Sequence, residues 1–444
     1  MSDKGLQKTL GLAAALSTVV GMVIGSGVFF KPQAVFGATV APGLGMMSWV
    51  IGGILTVCGG LTAAELAAAI PRTGGMMTYI EEAYGDVWGF LTGWMQTVLF
   101  FPGTIAALAV IFATQVVVLL GMDVDRSLAI IITIAIITIL FLSFLNTLGS
   151  KTAGSIQTVA TIAKLIPLAM IIIFGFVNGN GSVETRLLPM TDPNVNTGTA
   201  LGSALIATLF AYDGWINVGS IAGEMKNPAK DLPKAIVGGL SLVMAVYIAI
   251  NIAYLWVLPA SELAATSTPA AKVATAIFGQ TGGTVITVGI LISVFGALNG
   301  YTLTAGRVPY KLAVEGSFPG YKSLSKLSGS NVPSNAIWFI AILSCIYALS
   351  GQFNLLTDLT VFIVWIFYIM TFIGVMILRK KRPDLHRPYK VPLYPIVPLI
   401  AIIGGGYVVI NTLITQTTYA IAGLIVTAIG WPVYNSMKKK NREA

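Results

Sequence analysis

Long apolar runs separated by short polar gaps occupy nearly the whole chain. A run of about 20 apolar residues spans the bilayer hydrocarbon as a helix. Twelve such runs are predicted, over 9–38, 42–69, 84–120, 127–148, 153–177, 199–223, 235–258, 272–315, 335–350, 354–378, 393–411 and 416–437. The pattern predicts an all-α integral membrane protein, a single transmembrane domain over residues 1–444. Spans 84–120 and 272–315 are longer than a bilayer requires, so they kink or run past it, and Pro102 supplies one kink because it removes a backbone donor.

Two of these runs, about five spans apart, break in the middle. The first break reads Val23-Ile24-Gly25-Ser26-Gly27-Val28-Phe29 and the second Phe210-Ala211-Tyr212-Asp213-Gly214-Trp215. Unwound backbone at mid-membrane is tolerated only where it lines protein or a water-filled cavity. Paired discontinuous helices at corresponding places in two halves point to a transporter's binding site. The half-helix starting near Val28 offers unpaired N–H groups and a positive dipole end, which suit a carboxylate. The half-helices ending near Ile24 and Phe210 offer carbonyls, which suit an ammonium group. Glycines at 25, 27 and 214 let the chain turn and a ligand approach. A carboxylate and an ammonium about 2.5 Å apart describe an α-amino acid zwitterion. The competing reading of Gly25-Ser26-Gly27 is a small-residue helix-packing seam. The second break in the other half favours a site.

Composition agrees with the membrane class: 56% of residues are hydrophobic and 10% charged, against roughly 25% charged in a soluble domain. The net charge of +9 falls in the gaps between spans, so it signals orientation and no nucleic-acid partner. One side collects Lys4, Lys8, Arg72, Lys151, Lys226, Lys230, Lys234, Arg307, Lys311, Lys322, Lys326, the Arg379–Lys390 cluster, Lys438, Lys439, Lys440 and Arg442. The other holds Lys31, Arg126, Arg186 and Lys272. Basic loops stay inside, which predicts a plasma-membrane protein with both termini cytoplasmic. The first apolar stretch continues through Phe29 and Phe30 with no small-residue cleavage site, so it reads as a retained span. Cys58 and Cys345 fall within spans and read as small buried side chains. His386 is the single histidine, which excludes a histidine metal cluster. No nucleophile–base constellation or phosphate loop recurs, so neither an enzyme nor a cofactor is expected.

Charges inside the apolar runs carry further chemistry. Lys164 lies about 12 residues from either end of its span, roughly 18 Å, too deep for its stem to reach an interface. An intramembrane ammonium faces the bundle interior and needs partners. Its three donors can reach carbonyls freed at the first break and a polar group on span 8, with Ser293 and Asn299 as candidates. A purely structural tether is the alternative, and Ser293 and Asn299 read equally as interhelical hydrogen-bond glue. Asp213, inside the second break, either caps the following half-helix or binds a cationic or hydroxylated substrate; capping is favoured. Glu65 and Glu224 are expected to be structural or gate-forming, paired to bases such as Arg72. Tyr212 and Trp215 flank the break and read first as packing aromatics.

Across Gly25–Phe29, Ile70-Pro71-Arg72-Thr73-Gly74-Gly75, Phe210–Trp215, Gly223-Glu224-Met225-Lys226-Asn227-Pro228 and Phe295-Gly296-Ala297-Leu298-Asn299-Gly300, the chain resembles the amino acid–polyamine–organocation (APC) superfamily. Within it, the chain looks like the L-type amino acid transporter family and its bacterial serine/threonine exchangers. That resemblance implies an inverted repeat of spans 1–5 and 6–10, about 9–177 and 199–378, with extra spans over about 393–437. It implies sodium-independent, obligatory exchange of small neutral L-amino acids by alternating access. It implies that Ser26 and Gly27 offer N–H groups to the substrate carboxylate, that Val23, Ile24, Phe210 and Ala211 offer carbonyls to its amine, and that Phe210 closes over it from outside. In the family a span-5 lysine sits near the sodium position of related symporters, which suggests that Lys164 replaces sodium and couples the first break to span 8. The family's mammalian members carry a cysteine between spans 3 and 4 for an ancillary subunit. Here that loop reads Gly121-Met122-Asp123-Val124-Asp125-Arg126, so no disulfide-linked partner is expected, and nothing requires more than a monomer. Proton-linked uptake, cationic amino acid or polyamine exchange, and a channel or nutrient sensor are the competing functions.

Overall fold

The computed structural model describes residue 8 and residues 10–72, 74–182 and 186–443. Lys4 and Thr73 lie outside the described residues, as do the side chains of Lys151, Lys440 and Arg442. Among the described residues there are 11 helices long and apolar enough to cross a membrane, plus the shorter apolar helix Ser334–Ala348. The chain is a multi-pass helical membrane protein.

The predicted breaks are real. Span 1 runs as Leu12–Val23 and resumes as Gly27–Thr39. Span 6 runs as Thr197–Ala211, turns at 212–214, and continues as a 3-10 helix over Trp215–Glu224. The remaining spans follow the apolar runs: Pro42–Ala69 (span 2), Leu128–Thr147 (span 4), Ser150–Asn178 (span 5), Pro228–Val257 (span 7) and Phe353–Lys381 (span 10). Ile396–Thr415 is span 11, and span 12 is Thr417–Ala428 continued as Gly430–Glu443. A helix over Met76–Tyr84, not separately predicted, precedes span 3.

Both long spans kink for local reasons. Span 3 runs from Asp86 to Leu119, with a π-helical turn over Gln96–Phe100 immediately before Phe101-Pro102. Pro102 lacks an N–H, and the widened turn frees backbone carbonyls; the hydroxyl of Tyr347 donates to one of them, Val98 O, at 2.9 Å. Span 8 is Pro269–Ala305, kinked at Gly279 (φ 71°), with Arg307–Val314 following it.

The broken spans lie at the centre. Span 6 is buried at every residue from Ala204 to Ala222, whereas span 4 turns Ile137, Phe141 and Phe144 outward. A lipid-facing helix needs no polar partners beyond its own backbone, and a central one can carry irregular backbone because protein surrounds it. The first half of span 1 packs on spans 5, 7 and 8, and its second half packs on the first half of span 6.

Candidate functional site

The two breaks touch. A Cβ on Gly27 would fall 2.3 Å from the Ala211 Cα, so only glycine permits this approach of one half-helix to the other. A Cβ on Gly25 would fall 2.8 Å from the Ala297 Cβ, which brings span 8 against the same place. Gly214 has φ 107° and lies against the Tyr301 hydroxyl and Met22.

At this crossing, the backbone groups singled out by the sequence divide into two sets. The N–H groups of Ser26 and Gly27 have no protein acceptor among the described residues, and the buried Ser26 Oγ is also unpartnered. The carbonyls already hold protein donors. The Tyr247 hydroxyl, from span 7, donates to Val23 O at 2.7 Å and to Ala211 O at 3.0 Å, so one phenol ties the two breaks together. Phe210 O accepts from the Asp213 N–H at 3.1 Å. Ile24 O accepts from Lys164, which also donates to Gly21 O at 2.6 Å. A carbonyl has two lone pairs: Val23 O is filled, since it also accepts the Gly25 N–H at 2.8 Å, while Ile24 O, Phe210 O and Ala211 O keep capacity for a second donor.

Lys164 is fully buried and reaches the first break, as expected for a tethered cation. Among the described residues the expected hydrogen bond to span 8 is not made: its hydrogen bonds go to two span-1 carbonyls, and span 8 contributes packing, with Gly296 beside its Cε. Asn299 instead accepts from Asn146 of span 4 at 3.0 Å and donates to Gln157 of span 5 at 3.2 Å. Ser293 is buried with its Oγ unpartnered. Side-chain length explains the difference, because a lysine stem reaches the freed carbonyls while Asn299, on its short stem, bonds to the amides adjacent to it.

Asp213 does not act as the favoured helix cap. The residue opening the following helix is Gly214, with no side-chain cap. Apart from the adjacent Gly214 N–H, the donors to Asp213 come from other spans: Tyr368 of span 10 reaches Oδ1 at 2.6 Å and Tyr301 of span 8 reaches Oδ2 at 3.1 Å. Tyr212 is a packing residue, its hydroxyl donating to Trp49 O and its ring 4.9 Å from Tyr247. The Trp215 ring packs 5.5 Å from Tyr368.

The site is closed at both ends. At one end Lys31, expected in a loop, is buried within the helix. It is satisfied there by Thr357 Oγ1 at 2.7 Å, Asn354 Oδ1 at 3.0 Å and Asp358 Oδ1 at 3.4 Å, all from span 10. Its ammonium lies 5.2 Å from the Phe210 ring and 5.0 Å from the Phe353 ring, and those rings are 5.7 Å apart. At the other end, Arg307 Nε meets Glu224 Oε1 at 3.2 Å with both side chains buried. Beside them, Leu10 pairs with Met225 through a parallel backbone bridge.

Arg72 pairs with Glu82 and with neither predicted acid. Glu65 is held by Arg379 at 2.6 Å, Arg387 at 3.3 Å and the Val391 N–H at 2.8 Å. Lys311 joins Thr78, Glu81 and Glu315. Burial raises the Glu315 carboxyl above the usual range; Lys311 opposes the shift and Glu81 adds to it.

Sequence reasoning missed Tyr247, Tyr301 and Tyr368 because a tyrosine in an apolar run reads as packing. Depth was the available signal: a mid-span phenol must find an acceptor, and broken helices supply acceptors. The Lys31–Asp358 and Arg307–Glu224 pairs were missed because each joins residues far apart in sequence.

Comparison with known proteins identifies relatives of this chain. The amino acid permease family matches residues 10–433. The serine/threonine exchanger SteT of Bacillus subtilis is 43% identical over 445 residues, covering 99% of this chain and 98% of that protein. The human b(0,+)-type amino acid transporter 1 is 32% identical over 93% of this chain and 84% of its own length. The mouse Asc-type amino acid transporter 1 is 29% identical over 97% of this chain and 81% of its own length.

Proposed function

Because the chain belongs to the amino acid permease family, we propose that it exchanges small neutral L-amino acids (serine, threonine, alanine or cysteine) without sodium. The exchange is obligatory and proceeds by alternating access across the plasma membrane. The single observation that carries the reading is the Lys164 ammonium on Gly21 O and Ile24 O. It fixes a cation on the carbonyls at the first break, where a mobile cation would otherwise be needed. The name of the B. subtilis relative, a serine/threonine exchanger, supports the substrate class.

In this reading the substrate carboxylate takes the free N–H groups of Ser26 and Gly27. Its ammonium takes second lone pairs on the carbonyls of Ile24, Phe210 and Ala211; Val23 O, expected to share in this, is already filled by Tyr247 and the Gly25 N–H. Phe210, under Lys31, closes the outer side, and Glu224–Arg307 closes the inner side with both termini cytoplasmic. The fold behind it is twelve spans with a five-plus-five inverted repeat, working as a monomer without a disulfide-linked subunit. The protein is a carrier, in keeping with the transporter relatives.

The test is uptake of radiolabelled L-serine into sodium-free proteoliposomes, either empty or loaded with serine. Accumulation in loaded vesicles alone is expected. Equal uptake into empty vesicles would replace exchange by a uniporter, channel or proton-linked carrier.

A further inference from the structure

Asp213 is the buried acid that the zwitterion site leaves unused. It sits at the crossing of the two breaks, between Tyr212 and the left-handed Gly214. Among the described residues it has no basic partner within 4 Å. A carboxylate at that depth is costly unless its oxygens are satisfied. Here each oxygen takes a phenol from a different span, Tyr368 on Oδ1 and Tyr301 on Oδ2. Both phenols are confined. The Tyr301 hydroxyl lies 2.8 Å from the position of a Cβ on Gly214, and the Tyr301 ring packs 6.3 Å from Phe100 in the π-helical turn of span 3. The Tyr368 ring is held between Trp215 at 5.5 Å and Trp365 at 5.6 Å.

The geometry points to a specificity role for this clasp: Tyr301 and Tyr368 sequester Asp213, so the site rejects amino acids with cationic side chains although it contains a carboxylate. The inference rests on the reading above that substrate lies at the two breaks. An ammonium or guanidinium entering the site would have to displace a phenol that is both hydrogen-bonded and packed in place. Removing the hydroxyls while keeping the rings leaves a buried charge with only the Gly214 N–H as donor, and such a charge recruits a cation or destabilises the fold. Tyr301 and Tyr368 are therefore positioning residues that act through Asp213.

The experiment compares wild type, the Tyr301→Phe/Tyr368→Phe double variant, and that variant carrying Asp213→Asn. Exchange of tritiated L-serine into serine-loaded proteoliposomes is measured against L-lysine and L-arginine as competitors. The purified proteins are also tested for thermal stabilisation by L-serine and by L-lysine. Wild type is expected to ignore both cationic amino acids. The double variant is expected to gain inhibition by lysine, its inhibitory concentration falling about tenfold or more, as a charge-assisted hydrogen bond would give. Asp213→Asn is expected to abolish the gain. Lysine competition in wild type would overturn the inference. So would a double variant that exchanges serine yet ignores lysine, or lysine sensitivity that survives Asp213→Asn. If the double variant does not fold, Tyr368→Phe alone frees Oδ1, and its indifference to lysine would overturn the inference equally. A wild type unresponsive to serine in both assays would instead refute the neutral amino acid reading, while the lysine thermal shift would still report on Asp213.

Discussion

Lys31 and Asp358 form an ion pair at 3.4 Å that joins the second half of span 1 to the start of span 10, directly over the Phe210 ring. With Arg307 and Glu224 paired at the opposite end, the breaks lie between two buried or half-buried ion pairs. The alternating-access cycle proposed above would have each closure open in turn, with neither pair permanent. The Lys31 side chain is almost wholly buried while that of Asp358 is 21% exposed, so the acid is the partner that water reaches.

Asp358→Asn removes the charge that compensates Lys31, and breaking a buried pair from one side costs about 3–5 kcal/mol. The partial exposure of Asp358 reduces that figure. Serine exchange is expected to fall at least tenfold, about 1.4 kcal/mol. The swap Lys31→Asp with Asp358→Lys is expected to recover part of it, measured as exchange in proteoliposomes. No recovery by the swap would show that the pair's charge is not what closes this end.

Lys164→Ala removes two charged hydrogen bonds from the first break, each worth about 1.5–3 kcal/mol. The variant is expected to purify as a folded monomer by size-exclusion chromatography, with exchange reduced about a hundredfold. A folded variant transporting at the wild-type rate would refute the coupling role. Restoration by sodium would show that the lysine stands in for that ion.

Gly27→Ala and Gly37→Ala separate close approach from helix propensity. At Gly27 the new methyl would meet backbone at Ala211, whereas at Gly37 nothing lies within 4 Å. Gly27→Ala is expected to abolish exchange and to destabilise by about 1–3 kcal/mol. Gly37→Ala is expected to be neutral or to stabilise by up to about 1 kcal/mol. Thermal unfolding and exchange, measured on both, decide the matter; equal behaviour would mean that the two breaks do not pack as described.

Arg307→Met leaves Glu224 buried without its partner and is expected to lower the unfolding temperature sharply. Adding Glu224→Gln is expected to recover stability, because replacing both partners of a buried pair costs far less than removing one. Exchange is not expected to recover, since the inner closure has lost its charge. A double-mutant cycle on thermal stability with zero coupling would show that the pair contributes nothing.

Sequence and structure divide the labour along physical lines. The apolar runs, their lengths and their two interruptions follow from one-dimensional facts: bilayer thickness, helix rise, and the inability of lipid to satisfy free backbone. Those facts determined the all-helical membrane class, most span boundaries to within about four residues (span 7 starts earlier, at Pro228), and the position of both breaks. The depth of Lys164 in its span also showed that it must find partners inside the protein. Which partners it finds was a tertiary decision, because Gly21 and Ile24 become acceptors only once span 5 lies against the first break. The same holds for Asp213. Its sequence neighbours suggest a helix cap, but spans 8 and 10 bring two phenols to its oxygens, and those donors replace the cap. Lys31 with Asp358 and Glu224 with Arg307 are likewise invisible in one dimension, since complementary charges far apart along the chain become partners only when packing removes them from water together.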